Sequence, residues 1–231
     1  MMLVWTPDTV RFQRDAAQYG GYHKTLAKHL AAHLPPDAHI CDAGCGLGDL
    51  SRALAPYCKR VTAIDSSALA LAVLRENTPK NVEICESDIF MLSPAEQYDA
   101  MIFCFFAAMD DALLLAKKHC RGKVILVKRG WTQHRFSPQD ESARRDACEE
   151  AEQYLRTRGI PFLRENLTLD MGQPFRSKED AVRFFAAYGN EAAAFSDLES
   201  RLVKTGDDAF PYYLPQEKPL GIFSFDVADI P

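Results

Sequence analysis

The sequence predicts an α/β fold with a mostly parallel sheet that carries helices on both faces. From His39 onward, short apolar segments alternate with amphipathic ones, a pattern that requires crossover connections between parallel strands. The segment 98–106 is apolar almost throughout, as expected of a strand covered on both faces. With 231 residues, of which 47% are hydrophobic, the chain is long enough for one such domain with modest additions.

Helices and strands can be assigned in order along the chain. Residues 8–34 have apolar side chains at helical spacing, and Gly20–Gly21 is a point where this stretch can split into two helices. Strands are predicted at 39–43, 60–64, 82–85, 98–106, 123–127, 162–170 and 221–227. Further helices are predicted at 47–57, 66–77, 110–119, 138–158, 177–187 and 191–204, with Asp49 or Ser51 in the first turn of the first and Ser66 or Ser67 capping the second.

We expect a single domain over residues 1–231, because no linker is long enough to divide it. Within it, residues 1–37 would form a helical cap, 38–170 the core, 171–219 an insertion and 220–231 the last strand. The insertion contains a cluster of aromatic and proline residues near Phe210, which favours a structured lid.

Composition and charge argue against several classes of protein. The net charge of −5 argues against a nucleic-acid partner, since binding phosphates requires a basic face. The seven cysteines are odd in number and several lie in apolar runs, which favours reduced thiols, and Cys41 and Cys45 lack a second pair to complete a zinc site, so no metal is expected. The N-terminus does not resemble a signal peptide and the longest apolar run, 100–109, is too short to span a membrane, so we expect a soluble cytoplasmic protein.

The most informative segment is a glycine-rich turn between a strand and a helix. Gly44, Gly46 and Gly48 follow the strand 39–43 and precede the helix at 47–57. Glycines at such a turn allow the backbone, with its exposed N–H groups, to approach a ligand closely. Nicotinamide and flavin proteins use glycine turns too, so the turn alone does not identify the ligand.

Two details separate these possibilities. The dinucleotide pattern G-x-G-x-x-G would place its third glycine at position 49, which is Asp49. Asp42 stands two residues before Gly44, where a carboxylate would repel a pyrophosphate and attract a cation. S-adenosylmethionine carries a sulfonium and an ammonium group and no phosphate, so it suits this turn.

Two more acids follow the next two strands. Asp65, followed by Ser66, comes after the strand 60–64, where a carboxylate can accept hydrogen bonds from both ribose hydroxyls. Asp88 follows the strand 82–85, where it can accept from an adenine amino group while the N–H of Ile89 donates to a ring nitrogen. Each acid also has a purely structural alternative: Asp42 as a turn cap, Asp65 as a helix N-cap and Asp88 as an ordinary turn residue.

With these residues the sequence resembles the class I S-adenosylmethionine-dependent methyltransferases. The resemblance covers roughly residues 39–128 and is specific at D42-A-G-C-G-x-G48, Asp65 and Asp88. It implies S-adenosyl-L-methionine as cofactor, S-adenosyl-L-homocysteine as product, and a Rossmann-like, doubly wound seven-stranded sheet whose last strand is antiparallel. It also implies that the turn, including Cys45, meets the methionine part of the cofactor, that Asp65 holds the ribose, and that Asp88 marks the adenine.

The expected acceptor site lies beyond the fourth and fifth strands. After the fourth strand, Cys104 is expected to contact the cofactor, and Phe105 and Phe106 could wall a dry substrate pocket or simply be core. No (Asn/Asp)-Pro-Pro-(Tyr/Phe) sequence occurs there, which argues against adenine-N6 or glutamine methylation.

Basic residues and tyrosines complete the candidate site. Lys128, Arg129 and Arg135 could bind an anionic substrate, with His134 as a general base; a solvated loop is the alternative. Tyr19 and Tyr22 are candidates for a lid over the cofactor, or packing residues of an amphipathic helix.

The sequence thus predicts an enzyme that methylates a small molecule, which can be anionic, and that acts as a monomer or homodimer. The alternatives are a non-catalytic domain that binds S-adenosylmethionine or a related metabolite, an RNA methyltransferase, and a nicotinamide-dependent oxidoreductase. The last requires a glycine where Asp49 stands, and the acidic charge balance counts against RNA.

Overall fold

The computed structural model describes residues 5–93, 97–130, 146–188 and 198–231, which form ten strands and eight helices. The strands in chain order are β1 (His39–Ala43), β2 (Arg60–Asp65), β3 (Val82–Glu86), β4 (Tyr98–Cys104), β5 (Cys120–Arg129), β6 (Leu163–Asp170), β7 (Gln173–Phe175), β8 (Val203–Lys204), β9 (Tyr212–Leu214) and β10 (Glu217–Asp226). The helices are α1 (Pro7–Gly20), α2 (Tyr22–Ala31), α3 (Asp49–Leu54), α4 (Ala68–Glu76), α5 (Met109–His119), α6 (Ala147–Thr157), α7 (Lys178–Ala187) and α8 (Leu198–Arg201).

Seven strands form one sheet in the order β3-β2-β1-β4-β5-β10-β6. The pairs β1–β2, β2–β3, β1–β4 and β4–β5 are parallel, and β10 is antiparallel to β5. The predicted fold class, a mostly parallel doubly wound sheet with an antiparallel last strand, is confirmed.

Burial explains why the central strands read as apolar runs. In β4, the four residues from Ala100 to Phe103 are fully buried, and β5 is buried from Val124 to Val127. Phe103, Val124 and Phe223 belong to one core cluster on this sheet, to which residues of α5 and α6 also contribute. Both helices lie against β5.

Register brings the carboxyl ends of the first five strands to one edge. Ala43 pairs with Ile64 between β1 and β2, and Cys104 pairs with Val127 between β4 and β5. The turns that follow β1, β2, β3, β4 and β5 therefore emerge side by side, where ligands bind in open α/β sheets.

Within the described residues, the chain divides into two compact units. The first comprises 5–22, 168–188 and 198–218; the second comprises 23–93, 97–130, 146–167 and 219–231 and contains most of the seven-stranded sheet. The division of the sequence at 37, 170 and 219 remains a prediction.

The first unit contains a small antiparallel sheet of β7, β9 and β8, which the sequence analysis missed. Its core is aromatic: Phe12 of α1 packs edge to face on Phe184 of α7 at 5.0 Å between ring centroids. Arg11 donates to both carboxylate oxygens of Asp180, at 3.2 and 2.7 Å, which joins α1 to α7.

Most element boundaries were predicted within a few residues, and the differences have local causes. Residues 8–34 do split, because Gly21 ends α1 in a left-handed conformation at φ 60°. Asp49 lies in the first turn of α3 as predicted, but Pro56 lies in the 3₁₀ turn that replaces the helix after Leu54. Ser67 caps α4, accepting from the N–H of Ala70.

Three predictions were wrong within the described residues. The helix predicted at 138–158 begins at Ala147, because Asp146 caps it by accepting from the N–H groups of Cys148 and Glu149; residues 138–145 lie outside the described part. Of the helix predicted at 191–204, the described part is helical only at 198–201, and residues 203–204 form β8 instead. β4 ends at Cys104 rather than at 106, because φ is +55° at the next residue.

In the part of the chain that the structure describes, no helix has the length and apolar character needed to cross a membrane. The same residues hold no group of three His, Cys, Asp or Glu side chains arranged for a metal. All seven cysteines are free thiols.

Candidate active site

The turn after β1 is left-handed at each of its three glycines. The φ angles are +70° at Gly44, +55° at Gly46 and +72° at Gly48. The N–H groups of Gly44 and Cys45 donate to the carbonyl of Ile64 in β2, at 2.8 and 2.9 Å, which fixes the turn against the neighbouring strand. The chain then enters α3 at once, so the turn forms a backbone cradle at a helix start.

Asp42 lies beneath this turn as a buried acid. It is 2% exposed, and one carboxylate oxygen accepts from the hydroxyl of the fully buried Ser51 at 2.5 Å. Burial raises the pKa of Asp42 to about 6; the Ser51 hydrogen bond opposes this and the nearby charge of Asp65 adds to it. No cation forms an ion pair with Asp42 among the described residues, so this buried charge lacks a counterion.

Asp65 ties the glycine turn to the start of the next helix. Its Oδ2 accepts from the N–H of Gly46 at 2.8 Å, and its Oδ1 accepts from the N–H of Ser67 at 2.9 Å. The N-cap of α4 is Ser67, while Ser66 between them is exposed. Each Asp65 oxygen accepts one hydrogen bond here, and a carboxylate oxygen has room for a second.

Asp88 begins a 3₁₀ turn, Ile89–Met91, after β3. Its Oδ1 accepts from the N–H of Phe90 at 3.0 Å. Asp88 is exposed and Ile89 is buried, so the carboxylate faces solvent at the same edge of the sheet as Asp65.

The loop after β4, residues 105–108, presses on the glycine turn. Phe105 and Ala107 are both left-handed, with φ +55° and +61°, although neither is glycine. Between them, the ring of Phe106 covers Gly44 so closely that a Cβ on Gly44 would lie 2.3 Å from Phe106 Cδ2. Cys104 precedes this loop, and burial, with the charge of Asp42, raises the pKa of its thiol well above the usual range.

Lys128 and Arg129, at the end of β5, both contact this loop. The Lys128 ammonium donates to the carbonyl of Ala107 at 3.2 Å, and the Arg129 guanidinium lies 4.3 Å above the ring of Phe105. Burial lowers the pKa of Lys128. His134 and Arg135 lie outside the described residues.

Tyr19 and Tyr22 belong to the first compact unit. Tyr19 is 37% exposed, and its ring lies 5.0 Å from that of Tyr213 and 5.9 Å from that of Phe210. Tyr22 is buried and its hydroxyl accepts from Gln13 at 3.0 Å. Tyr22 is thus buried and Tyr19 is part of an aromatic surface, and the predicted role of both as a lid over the cofactor stays a prediction.

Sequence reasoning missed two participants in the site. Ser51, nine residues after Asp42, is its hydrogen-bond partner, which the proximity of a serine on the first turn of the following helix could have suggested. Ala107 is held in a left-handed conformation, and no sequence signal marks it, because alanine usually avoids that region.

Comparison with known proteins bears on both fold and family. Residues 40–121 match the model of the methyltransferase domain family. No curated protein sequence matches the chain.

Similar folds occur among solved structures. The cyclase SpnF has a TM-score of 0.56 and 18% identity over 88% of this chain and 80% of its own. The protein YcgJ from Bacillus subtilis has a TM-score of 0.54 and 15% identity over 89% of this chain and 98% of its own. The precorrin-6y C5,15-methyltransferase from Geobacter metallireducens has a TM-score of 0.50 and 11% identity over 87% of each chain.

At these identities the solved structures bear on the fold alone. They agree with the seven-stranded sheet and its antiparallel strand. The family match covers β1 to the start of β5, the segment that carries the glycine turn and the three acids. Over that segment the chain is similar to the methyltransferase domain family.

Proposed function

We propose that the protein transfers the methyl group of S-adenosylmethionine to a small-molecule acceptor. The observation that carries this proposal is Asp42, a buried carboxylate under a left-handed glycine turn, without a cation beside it in the described part of the chain. A cationic ligand would compensate such a charge, whereas a pyrophosphate would be repelled by it.

The other acids fit the remaining parts of this cofactor. Asp65 already orients the turn through Gly46 and has lone pairs left for two ribose hydroxyls. Asp88 is exposed at the end of the next strand, where it would accept from the adenine amino group, and Ile89 would supply the neighbouring backbone donor. Gly44 to Gly48, with Cys45, would face the methionine part.

When bound, S-adenosylmethionine supplies an electrophilic methyl group on a sulfonium, and the protein supplies alignment and exclusion of water. Phe105 and Phe106 give the loop after β4 an apolar surface beside the glycine turn. The Cys104 thiol, whose pKa is raised, stays protonated at neutral pH, which makes it a wall of the site rather than a nucleophile. Lys128 and Arg129 face this loop; His134 and Arg135 remain candidates for a base and for a contact to an anionic acceptor.

Calorimetric titration with S-adenosylhomocysteine, with NADH in parallel, tests the cofactor assignment. We expect micromolar binding of the first and none of the second. Asp65→Ala should weaken binding by about 1–3 kcal/mol, roughly 5- to 150-fold, because it removes the hydroxyl acceptor and frees the N–H of Gly46. Glu83→Ala, near the start of β3 and away from the carboxyl ends of the strands, is a matched control and should bind normally. Binding of NADH alone would overturn the proposal.

A non-catalytic protein that binds the cofactor is the second candidate. It is favoured by the contacts of Lys128 and Arg129 with the loop after β4. These two cations were expected to bind the acceptor, and both already have partners inside the protein. The likeness to SpnF, a cyclase, also shows that this fold accompanies a reaction other than methyl transfer. Labelled methyl transfer from S-adenosylmethionine, measured over panels of anionic and neutral small molecules, distinguishes the two: tight binding without transfer to any panel member would favour the second.

A further inference from the structure

The loop after β4 contains the only two left-handed non-glycine residues near the site within the described chain. Phe105 has φ +55° and Ala107 has φ +61°; the third such residue, Asp37, precedes β1 at the opposite end of that strand. A side chain with a Cβ pays about 1–2 kcal/mol to enter this region. Strain of this kind persists only where surrounding contacts hold it, and it concentrates at functional sites.

Each strained residue is held by one cation from the end of β5. Arg129 lies over the ring of Phe105, and Lys128 donates to the carbonyl of Ala107. Lys128 and Arg129 are adjacent in sequence, and the two strained residues are separated only by Phe106. We propose that Lys128 and Arg129 are positioning residues that hold the loop after β4 in its left-handed form, so that Phe106 is pressed onto the glycine turn.

The consequence for ligand binding follows from the position of Phe106. Its ring lies directly against Gly44, and Gly44 donates to Ile64 at the root of the turn. Release of the loop would remove the ring from one side of the turn and admit water beside Asp42. The proposal that this lowers cofactor affinity rests on the proposed function, whereas the clamp itself does not.

Lys128 is fixed well enough for this role. Its strand is central, since β5 lies between β4 and β10, and its own carbonyl accepts from the thiol of Cys148 on α6 at 3.4 Å. Its stem is partly buried and its ammonium reaches back over the neighbouring strand end. An arginine can make the same hydrogen bond, and a methionine of similar length cannot.

The first test measures binding of S-adenosylhomocysteine to Lys128→Met and Lys128→Arg by calorimetry. Lys128→Met should weaken binding about tenfold, the usual effect of one charge-assisted hydrogen bond, and Lys128→Arg should restore it to within about threefold. Lys123→Met is the matched control: it changes the same residue type at the other end of β5, where Lys123 pairs with Asp226 on the surface, and should leave affinity unchanged.

The second test asks whether the lysine acts through the strain at Ala107. In an Ala107→Gly background the left-handed conformation costs little, so Lys128→Met should weaken binding by no more than about threefold. A lysine that contacted ligand directly would lose the same factor in both backgrounds. That result, or normal binding by Lys128→Met, would overturn the proposal.

The third test does not depend on the cofactor. Urea unfolding of four proteins, the unaltered chain, Lys128→Met, Ala107→Gly and the double variant, should show that Lys128→Met lowers the midpoint less in the Ala107 background than in the Ala107→Gly background. The reason is that a released loop with Ala107 relaxes out of the left-handed region and recovers its strain, which offsets part of the lost hydrogen bond. Equal shifts would refute the clamp. If the unaltered chain fails to bind S-adenosylhomocysteine while the midpoints show this coupling, the proposed function fails and the clamp stands.

Discussion

Two turns on adjacent strands of the same sheet reach the left-handed region by different means. The turn after β1 does so at three glycines, Gly44, Gly46 and Gly48, which enter it freely. The loop after β4 does so at Phe105 and Ala107, which do not. The strands pair directly, β1 with β4, and the two turns touch through Phe106 and Gly44.

The difference lies in where the stability of each conformation comes from. The glycine turn owes its shape to backbone freedom and to hydrogen bonds with β2 and Asp65. The loop after β4 owes its shape to side chains from β5. Substitutions in the glycine turn should therefore destabilise it through the atoms that they add. Substitutions near the loop after β4 should destabilise it through the contacts that they remove.

The largest effect is expected from a methyl group added to the glycine turn. Gly44→Ala would place a Cβ 2.3 Å from the Phe106 ring on a backbone with φ +70°. Left-handed strain and overpacking together should lower the free energy of unfolding by about 4 kcal/mol and abolish S-adenosylhomocysteine binding. Urea unfolding and calorimetry measure both.

Gly159→Ala separates the two contributions. Gly159 has φ +68° but no heavy atom within 4 Å of its Cβ position, so this variant should lose only about 1 kcal/mol. Equal losses at the two positions would mean that Phe106 does not press on the turn.

The next effect concerns the acid beneath the turn. Because burial raises the pKa of Asp42 to about 6, the folded chain binds a proton that the unfolded chain releases between about pH 4 and 6. The free energy of unfolding should therefore fall as pH rises through this range, by roughly 3 kcal/mol from this group. Asp42→Asn should flatten that part of the stability profile, and an unchanged slope would count against the buried charge.

Binding should reveal the same acid. A cationic ligand beside Asp42 would lower its pKa, so S-adenosylhomocysteine, with its ammonium, or S-adenosylmethionine, with a sulfonium besides, should release part of a proton near pH 6. Titrations in two buffers with different ionisation enthalpies measure this release. The release should be larger for S-adenosylmethionine, and its absence for both would place the cationic groups elsewhere.

The two turns also differ in how far the sequence predicts them. The glycine turn, the strand before it and the acids at the carboxyl ends of β1, β2 and β3 are all local signals, and β1 was predicted at its observed bounds. The loop after β4 has no local signal: its left-handed residues depend on Lys128 and Arg129, some 20 positions later. A prediction from local pattern therefore continued β4 to residue 106.

The same reasoning explains what else was missed. β7 and β9 have three residues each, and Gln173 pairs with Leu214, far along the chain. Strands of three residues show too little alternation of apolar and polar side chains to be recognised in the sequence. They form because they pair with strands far along the chain. For α6, in contrast, a start signal was present in Asp146, whose carboxylate caps the N-terminus of the helix, but acidic residues are common throughout that charged stretch.

The smallest effect, and the most direct measure of strain in the loop after β4, is expected from Ala107→Gly. Removal of the Cβ relieves about 1–2 kcal/mol of left-handed strain and costs about 0.5–1 kcal/mol in unfolded-chain entropy, so the protein should gain roughly 0.5 kcal/mol. Ala72→Gly, at an exposed position inside α4, carries the same entropic cost without any relief and should lose about 1 kcal/mol. Urea unfolding of both variants compares the signs. Losses of equal size in the two variants would show that Ala107 is unstrained. Lys128 and Arg129 would then not be needed to hold the loop in its left-handed form.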